Sequence, residues 1–251
     1  MSETDAPGPR PRDLIRAAQL LTRLPVPGGD GTRGAAAAWA WPVVGAGVAL
    51  IQISVGLAAL ALGLPAPVAA GVALGAGVVV TGGLHEDGLA DCADGFWGGM
   101  TRKRRLEILK DSRIGSYGVL GLIVSMGLRW ALFTALLPVA PLALLAAAMI
   151  SRAGMAAMMG WMAFARTDGI AAHIGRAPVW AVSLAIGLAL IGGVAATGIA
   201  ALPAILLAAV AMYGVGSFAR AKIGGQTGDV LGATQVVGEI AALMTLAAAL
   251  A

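Results

Sequence analysis

Long apolar segments, separated by short polar or Pro-containing segments, make up most of the chain. About 20 apolar residues are enough to cross a lipid bilayer as a helix. Prolines fall at most of the joins, as expected for residues that end helices. The predicted spans are 35–62, 66–84, 116–137, 142–165, 179–198, 204–219 and 230–251. The sixth segment is short and the seventh contains Glu239, so six spans are the alternative to seven.

Two shorter segments have the pattern of helices that lie along a membrane surface. In residues 13–24, Leu14, Ala17 and Leu21 share one helical face and Arg16 lies off it, which is typical of an interfacial helix. Residues 101–111 repeat this pattern. Residues 1–11 are polar and Pro-rich and are predicted to be disordered. The chain is therefore predicted to be an all-α, polytopic membrane helix bundle, with one transmembrane domain over residues 12–251.

Composition supports a membrane protein. Hydrophobic residues make up 59% of the chain and charged residues only 12%, whereas soluble domains carry about 25% charged residues. Thirty-seven glycines suit closely packed membrane helices. Cys92 is the only cysteine, which excludes an internal disulfide.

The basic residues orient the bundle. Of the 17 Lys and Arg residues, 15 lie before the first span or in alternate inter-span segments, and the opposite loops carry none. Basic loops stay in the cytoplasm, so the charged segments are predicted to face the cytoplasm across a bacterial inner membrane. The net charge of +4 then suits contact with anionic lipid and with an anionic substrate. No nucleic-acid partner is expected.

The most informative segment is residues 82–95, Gly-Gly-Leu-His-Glu-Asp-Gly-Leu-Ala-Asp-Cys-Ala-Asp-Gly. On a helix, Asp87, Asp91 and Asp94 share one face, because they are four and three residues apart. Their carboxylates repel one another unless cations lie between them, and oxygen ligands suit Mg²⁺ or Mn²⁺ rather than zinc. The alternatives are a solvated acidic loop, or carboxylates paired with the arginines of residues 102–105. His85 is a candidate general base or phosphate donor, with a packing role as the alternative, and Glu86 is expected to be peripheral.

Two further segments combine charge with glycine. Residues 110–115, Lys-Asp-Ser-Arg-Ile-Gly, suit phosphate binding through Lys110 and Arg113 and one more metal ligand at Asp111, unless they form a surface charge cluster. In residues 222–229, Lys-Ile-Gly-Gly-Gln-Thr-Gly-Asp, glycines leave backbone N–H groups free to hold an anion. The substrate-binding candidates there are Lys222, Gly224, Gly225 and Thr227. Asp229 is a candidate metal ligand or a helix cap.

Three ionisable residues fall inside predicted spans: Arg129, Arg152 and Glu239. Charges inside a bilayer are costly, so such residues are functional candidates by default. Arg129 and Arg152 are therefore predicted to contact the substrate. A purely structural Arg129–Glu239 pair is the alternative.

These motifs resemble the cobalamin synthase family, the adenosylcobinamide-GDP ribazoletransferases. The resemblance rests on residues 82–95, on Ile-Leu-Lys-Asp-Ser-Arg-Ile-Gly-Ser-Tyr-Gly from residue 108, and on Gly-Gly-Gln-Thr-Gly-Asp-Val-Leu-Gly-Ala from residue 224. An early Thr-Arg-Leu-Pro-Val-Pro at residues 22–27 is also similar. The matching segments run in the same order from about residue 12 to the end of the sequence.

The resemblance implies a Mg²⁺-dependent transferase of a late step in cobalamin biosynthesis. Its substrates would be adenosylcobinamide-GDP and α-ribazole or α-ribazole 5′-phosphate, and it would release GMP. The expected products are adenosylcobalamin or its 5′-phosphate. Other expected partners are membrane lipid, other cobalamin-assembly enzymes and further copies of the chain.

The residues fit this chemistry. Phosphoryl-type transfer needs positioning and charge neutralisation. The predicted metal ligands are Asp87, Asp91, Asp94, Asp111 and Asp229, with Mn²⁺ as the alternative ion. The predicted catalytic residues are His85, Asp87, Asp91, Asp94 and Asp111.

Two other functions are compatible with parts of the sequence. A CDP-alcohol phosphotransferase shares Asp-x-x-Asp-Gly at residues 91–95, but Phe-Trp-Gly-Gly follows where Ala-Arg is expected. An ion-coupled transporter normally binds near the middle of the bilayer. Here the acidic residues gather at one surface, which favours an enzyme.

Overall fold

The computed structural model describes residues 8–28 and 33–251, and within these ranges the protein is helical. Among the described residues the only β-pairing is an isolated bridge between Phe164 and Gln226. The predicted all-α fold is confirmed. Of the segment predicted to be disordered, residues 1–7 lie outside the described residues, and Pro11 already belongs to the first helix.

The described part of the chain contains eleven α-helices and two 3₁₀ segments. The helices are α1 (Pro11–Leu21), α2 (Trp41–Ala61), α3 (Ala66–Thr81), α4 (Leu84–Gly98), α5 (Arg102–Ile108), α6 (Ser116–Leu136), α7 (Leu142–Trp161), α8 (Ile170–Ile174), α9 (Val179–Thr197), α10 (Ala201–Ile223) and α11 (Gly228–Leu250). The 3₁₀ segments, Gly34–Ala40 and Gly198–Ala200, lead into α2 and α10.

Five helical segments of the described chain are long and apolar enough to cross a membrane, or six if the bent pair α3–α4 forms one span. One of the five, Val179–Ile223, has 45 residues. It reverses direction at Gly198, since a Cβ on Gly193 would lie 3.4 Å from the Cβ of Ala201. The chain is thus a multi-pass membrane protein, and the number seven stays a prediction.

Two helices, α7 and α11, form the centre of the bundle. Most of their residues are buried, and they pack against each other, with α9 and α2 also against α7 and α10 and α4 also against α11. The outer helices α6 and α10 instead expose large apolar side chains, such as Ile123 and Leu206, as lipid-facing surfaces do. The charged segments that follow α4, α7 and α10 meet at one end of the bundle, called here the charged end, where Arg102 contacts Ile223 and Ala165 and Lys110 contacts Asp168.

A pair of glycines separates α3 from α4. Gly82 and Gly83 both have left-handed backbone conformations (φ 66° and 68°), which residues with a side chain rarely adopt. Helix α3, which corresponds to the second predicted span, therefore stops at Thr81 rather than at residue 84. Helix α4 then leaves it at an angle of 87°. Helix α4 therefore runs almost perpendicular to α3, across the charged end of the bundle.

The N-terminal helix α1 is docked against the bundle by a buried acid. Asp13 is fully buried; it accepts a 2.8 Å hydrogen bond from the indole N–H of Trp39 and pairs with Arg33 at 3.3 Å. Ala17 and Leu21 are buried on the same side, whereas Leu14, expected on that face, is exposed. The buried face is therefore anchored by charge as well as by apolar contact.

Helix α5 joins three segments of the charged end. The guanidinium of Arg102 donates to the carbonyl oxygens of Ile223 and Ala165, both at 2.7 Å. Arg105 donates to the carbonyls of Gly99 and Lys222. Two residues of the basic run 102–105 are thus structural hydrogen-bond donors.

Candidate functional site

The acidic helix α4 crosses the start of α11 at glycines. A Cβ on Gly88 would lie 2.7 Å from the carbonyl oxygen of Asp229, and one on Gly232 would lie 3.2 Å from the backbone of His85. At Gly88 a side chain would force the two helices apart, and at Gly232 it would fit only tightly. The crossing brings Asp229 close enough to Asp87 and Asp91 for their charges to interact, and the role of these three residues as metal ligands stays a prediction.

Like charges crowd Asp91. Its side chain is half-buried, and burial together with the charges of Asp87, Asp229 and Asp94 raises the pKa of this carboxyl to about 7. The guanidinium of Arg166 acts in the opposite direction. A bound cation would stabilise these carboxylates, because it would offset the repulsion between their negative charges.

Asp94 is held by the start of α6. Its two carboxylate oxygens accept hydrogen bonds from the backbone N–H groups of Gly115 (2.7 Å) and Gly118 (2.9 Å). A carboxylate at a helix N-terminus satisfies free N–H groups and is favoured by the helix dipole. Asp94 therefore joins α4 to α6, and its role as a metal ligand stays a prediction.

The Lys110–Gly115 segment lies on the surface, with its charges paired locally. Arg113 makes a bidentate pair with Asp111 (2.7 and 3.0 Å), and these hydrogen bonds lower the pKa of Asp111 to about 2. Lys110 donates to Asp168, and hydrogen bonding lowers the pKa of Asp168 as well. Asp111 is thus engaged by Arg113 in this structure rather than grouped with Asp91.

The glycine-rich segment is mostly occupied by protein contacts. The Gln226 N–H donates to the carbonyl of Ala163, and the Gly224 N–H donates to that of Arg220. Gly225 is buried with no room for a side chain beside Ala163. Thr227 caps α11 by accepting from the Val230 N–H, and its hydroxyl donates to Asp229 at 3.0 Å. The Lys222 amino group lies over the ring of Phe218.

A buried ionic network lies beneath α4. Arg129 pairs with Glu86 at 2.5 Å and with Glu239 at 3.0 Å, so the expectation that Glu86 is peripheral is wrong. Glu86 points inward because the face of α4 opposite the exposed Asp87 packs on the bundle. Arg152 is also buried in this region and donates to the carbonyl of Ala148.

This network favours a structural role for Arg129, the alternative stated from the sequence. His85 lies above it; only 2% of its surface is exposed, and its Nε2 has no hydrogen-bond partner among the described residues. Its role as a general base stays a prediction.

A cavity of about 460 Å³, called here the Asp87 cavity, opens beside the acidic residues. Helices α1, α2, α4, α7, α8 and α11 contribute its walls. Its apolar lining includes Leu20, Leu21, Trp41, Met155, Met159 and Leu231. Its polar lining includes Asp87, Asp229 and Arg166.

A second, more open depression of about 490 Å³, the basic groove, lies next to it. It is lined by Arg102, Lys103, Leu106, Glu107, Lys110 and Arg166. Arg166 lines both spaces and pairs with Asp229 at 3.5 Å. Sequence reasoning counted Arg166 only as a basic loop residue; no local motif marks it, because only the folded loop brings it to Asp229.

The donor chemistry at this site fits a divalent cation. Asp87, Asp91 and Asp229 offer carboxylate oxygens, the ligands that Mg²⁺ prefers, and the raised pKa of Asp91 reflects their mutual repulsion. Over residues 8–28 and 33–251, however, no three acidic, His or Cys side chains converge on one ion position. The residues fit the ion by chemistry, and small side-chain adjustments would have to complete the ligand set.

The glycine crossing gives a direct test of the site. We expect Gly88→Ala to lower turnover by a factor of roughly ten to a hundred, because the added Cβ pushes Asp229 away from Asp87 and Asp91. Gly98→Ala in the same helix is the matched control, since its Cβ would meet only an ordinary 3.7 Å contact. Steady-state rates of both purified variants check this. Equal rates would mean that the crossing does not position the acidic residues.

Comparison with known proteins adds independent information. The family model described as cobalamin-5-phosphate synthase matches residues 13–247. A protein of Bradyrhizobium diazoefficiens named adenosylcobinamide-GDP ribazoletransferase is 45% identical over 184 residues, covering 72% of this chain and 71% of that protein. Its namesake in Azorhizobium caulinodans is 47% identical over 189 residues (70% of each chain), and that in Brucella canis is 44% identical over 193 residues (72% and 74%). No solved structure matches the chain.

Proposed function

The chain belongs to the cobalamin-5-phosphate synthase family, and on this premise we propose that it is an adenosylcobinamide-GDP ribazoletransferase. It transfers the cobinamide-phosphate part of adenosylcobinamide-GDP to α-ribazole or α-ribazole 5′-phosphate and releases GMP. The observation that carries the proposal is the family match over nearly the whole chain, together with 44–47% identity to three proteins of that name.

The chemistry of the proposed step is a substitution at phosphorus. A ribose hydroxyl of the nucleoside attacks the phosphorus on the cobinamide side of the pyrophosphate. A new P–O bond forms, the P–O bond to GMP breaks, and the hydroxyl proton passes to a base or to solvent. Such steps depend on positioning and on neutralising charge at the phosphates. Residues that hold charge at fixed positions are therefore the ones that matter.

Within this proposal, Asp87, Asp91 and Asp229 are the residues that would hold Mg²⁺. The bound ion would neutralise pyrophosphate charge and stabilise the leaving oxygen. The crowding of negative charge around Asp91 supports this assignment. Asp94 and Asp111 are weaker candidates, because α6 and Arg113 already engage their carboxylates.

The basic groove is the proposed place for the pyrophosphate of adenosylcobinamide-GDP. Lys103, Lys110 and Arg166 line it and supply positive charge, and Arg166 connects it to Asp229. Guanidinium groups suit phosphate oxygens because they donate two parallel hydrogen bonds. Arg166 thereby becomes a proposed substrate-binding residue, in place of the buried Arg129.

Two further features of the proposal concern the setting. We propose that the charged end faces the cytoplasm of a bacterial inner membrane, where nucleotide substrates and Mg²⁺ are available. Membrane lipid surrounds the bundle, and association with other cobalamin-assembly enzymes or with further copies of the chain remains a hypothesis. The family match supports the transferase over the CDP-alcohol phosphotransferase and the ion-coupled transporter.

The decisive experiment is an assay of the purified protein in detergent with adenosylcobinamide-GDP, α-ribazole and Mg²⁺. We expect GMP and adenosylcobalamin in equal amounts, and no product when EDTA replaces Mg²⁺. Mn²⁺ should restore activity, since it accepts the same oxygen ligands. GMP release without a cobalamin product would overturn the transfer, and full activity in EDTA would overturn the metal assignment alone.

The orientation can be tested by labelling single cysteines in a Cys92→Ser background. Cysteines replacing Thr101, Thr167 and Gly228 should resist an impermeant thiol reagent in intact cells and react after lysis, because all three positions are exposed at the charged end. Gly228 has open space for a side chain, unlike the nearby Gly225.

The control for orientation is Val139→Cys, in the loop at the opposite end and 64% exposed. It should react from outside in intact cells. Protection of Val139→Cys with labelling of the other three would reverse the orientation. A mixed pattern among the three charged-end cysteines would contradict a shared site.

A further inference from the structure

We infer that the Asp87 cavity is the binding site of the nucleoside acceptor: a flat aromatic base enters between Trp41 and the methionines of α7, and its ribose lies toward Asp87 and Asp229. This inference rests on the proposed function. It assigns the nucleoside acceptor to the Asp87 cavity. It also gives a binding role to methionines of α7 that the sequence alone indicated as packing residues.

Size separates the two substrates. A cavity of about 460 Å³ falls within the roughly 300–1,000 Å³ typical of small-molecule sites. It suits a base with one ribose. A corrin ring that carries amide side chains and a guanosine diphosphate is several times larger, so it must stay in the open basic groove and outside this cavity.

The walls match an apolar aromatic ring. Trp41 comes from the start of α2, Met155 and Met159 from successive turns of α7, and Leu21 from α1. Methionine is flexible and polarisable, and its sulfur makes favourable contacts with aromatic rings. Trp41 provides a rigid flat surface. At most 4% of the surface of each of these four side chains is accessible, so they form the floor of the cavity, and a ring contacts them closely once the flexible methionines shift.

The apolar end of the cavity, away from Asp87 and Asp229, also disfavours the guanine of the other substrate. Guanine carries an amide and an amino group, and burying them without partners is unfavourable. A benzimidazole-type base has no such groups on its carbocyclic edge. Trp41, Met155 and Met159 offer apolar surface where that edge would lie.

The acidic end of the cavity is where the reaction must occur. Asp87 and Asp229 line the cavity and lie close enough for the charge of one to act on the other. Arg166 lines both the cavity and the basic groove. A nucleoside bound base-first would therefore present its ribose hydroxyl at the junction where the pyrophosphate is proposed to bind.

The test compares two neighbouring methionines of α7. Met159 lines the cavity, whereas Met158, equally buried, does not and instead accepts a hydrogen bond from Thr234. We expect Met159→Ala to raise the KM for α-ribazole about tenfold or more and to leave the KM for adenosylcobinamide-GDP within twofold. Met158→Ala should move neither KM selectively.

A second variant protects the test against misfolding. Ala171→Leu, in α8, places extra atoms in the cavity from a short helix outside the core helices. Equilibrium dialysis with labelled α-ribazole alone should then show at least tenfold weaker binding than to the unaltered protein. This readout needs no turnover.

The outcomes are separable. If the unaltered protein makes no GMP, the proposed function fails. If it turns over normally but Met159→Ala and Ala171→Leu leave α-ribazole binding unchanged, only the cavity assignment is wrong. Selective weakening of adenosylcobinamide-GDP or GMP by these variants would assign the cavity to the guanosine half instead.

Discussion

Replacing Asp91 by Asn is expected to lower turnover roughly a thousand-fold, the scale seen when charge stabilisation is removed from a phosphoryl-type transfer. The charges of Asp87, Asp229 and Asp94 all act on Asp91. The amide keeps the shape of the side chain but cannot neutralise a cation. GMP release at saturating substrates and Mg²⁺ measures the effect.

The same variant should remain folded, and this separates a catalytic loss from a structural one. Without divalent ions, the half-buried Asp91 carboxylate is repelled by its neighbours, so Asp91→Asn in EDTA at pH 8 should melt at or above the temperature of the unaltered protein. Glu107→Gln, an exposed acid on α5 that lines the basic groove, is the comparison and should not lower GMP release, because losing a negative charge there does not weaken the binding of an anionic pyrophosphate. A folded Asp91→Asn protein with near-normal GMP release would remove Asp91 from the reaction.

Arg129→Met is expected to have the largest effect on stability. Its guanidinium is buried between Glu86 and Glu239, and its removal leaves two carboxylates without their counter-ion. Removing one partner of a buried ion pair costs about 3–5 kcal/mol. Thermal unfolding in detergent should show this as a large fall in melting temperature.

Arg104→Met provides the comparison, because Arg104 is exposed and pairs only with the exposed Glu107; its loss should change stability by less than about 0.5 kcal/mol. Combining Arg129→Met with Glu86→Gln and Glu239→Gln should recover part of the loss, since no buried charge is then left unpaired. Additive destabilisation in the triple variant would argue that Arg129 stabilises by packing alone.

The helices could be predicted well from the sequence, because long apolar segments bounded by proline and glycine are typical of membrane helices. Each of the seven predicted segments is helical in the structure. The largest differences at their ends are the start of α2 at Trp41 rather than residue 35, the end of α7 at Trp161 rather than residue 165, and the end of α10 at Ile223 rather than residue 219. The helix that carries Asp87 and Asp91 was also predicted, as was the meeting of these residues with Asp229. Each of these predictions rests on a local pattern or on a shared end of the bundle.

The pairing of polar side chains could not be predicted, because it depends on contacts between distant segments. Glu86 meets Arg129, Asp94 meets the N–H groups of α6, and Arg166 meets Asp229. The spacing of residues along a helix shows which of them share a face. It does not show which residue of another segment each carboxylate contacts. The 87° bend between α3 and α4 turns Glu86 inward and Asp87 outward, and no feature of residues 66–84 other than two glycines signals it.

The crossing of α4 and α11 also sets when the enzyme becomes active during its synthesis. Asp87 and Asp91 leave the ribosome about 140 residues before Asp229, and Arg129 precedes Glu239 by about 110. Until α11 enters the membrane, Arg129 has Glu86 but lacks Glu239, and the acidic cluster lacks Asp229. Insertion of α11 therefore completes the buried ion pairs and the reaction centre in one event, and chains released before it would be both unstable and inactive.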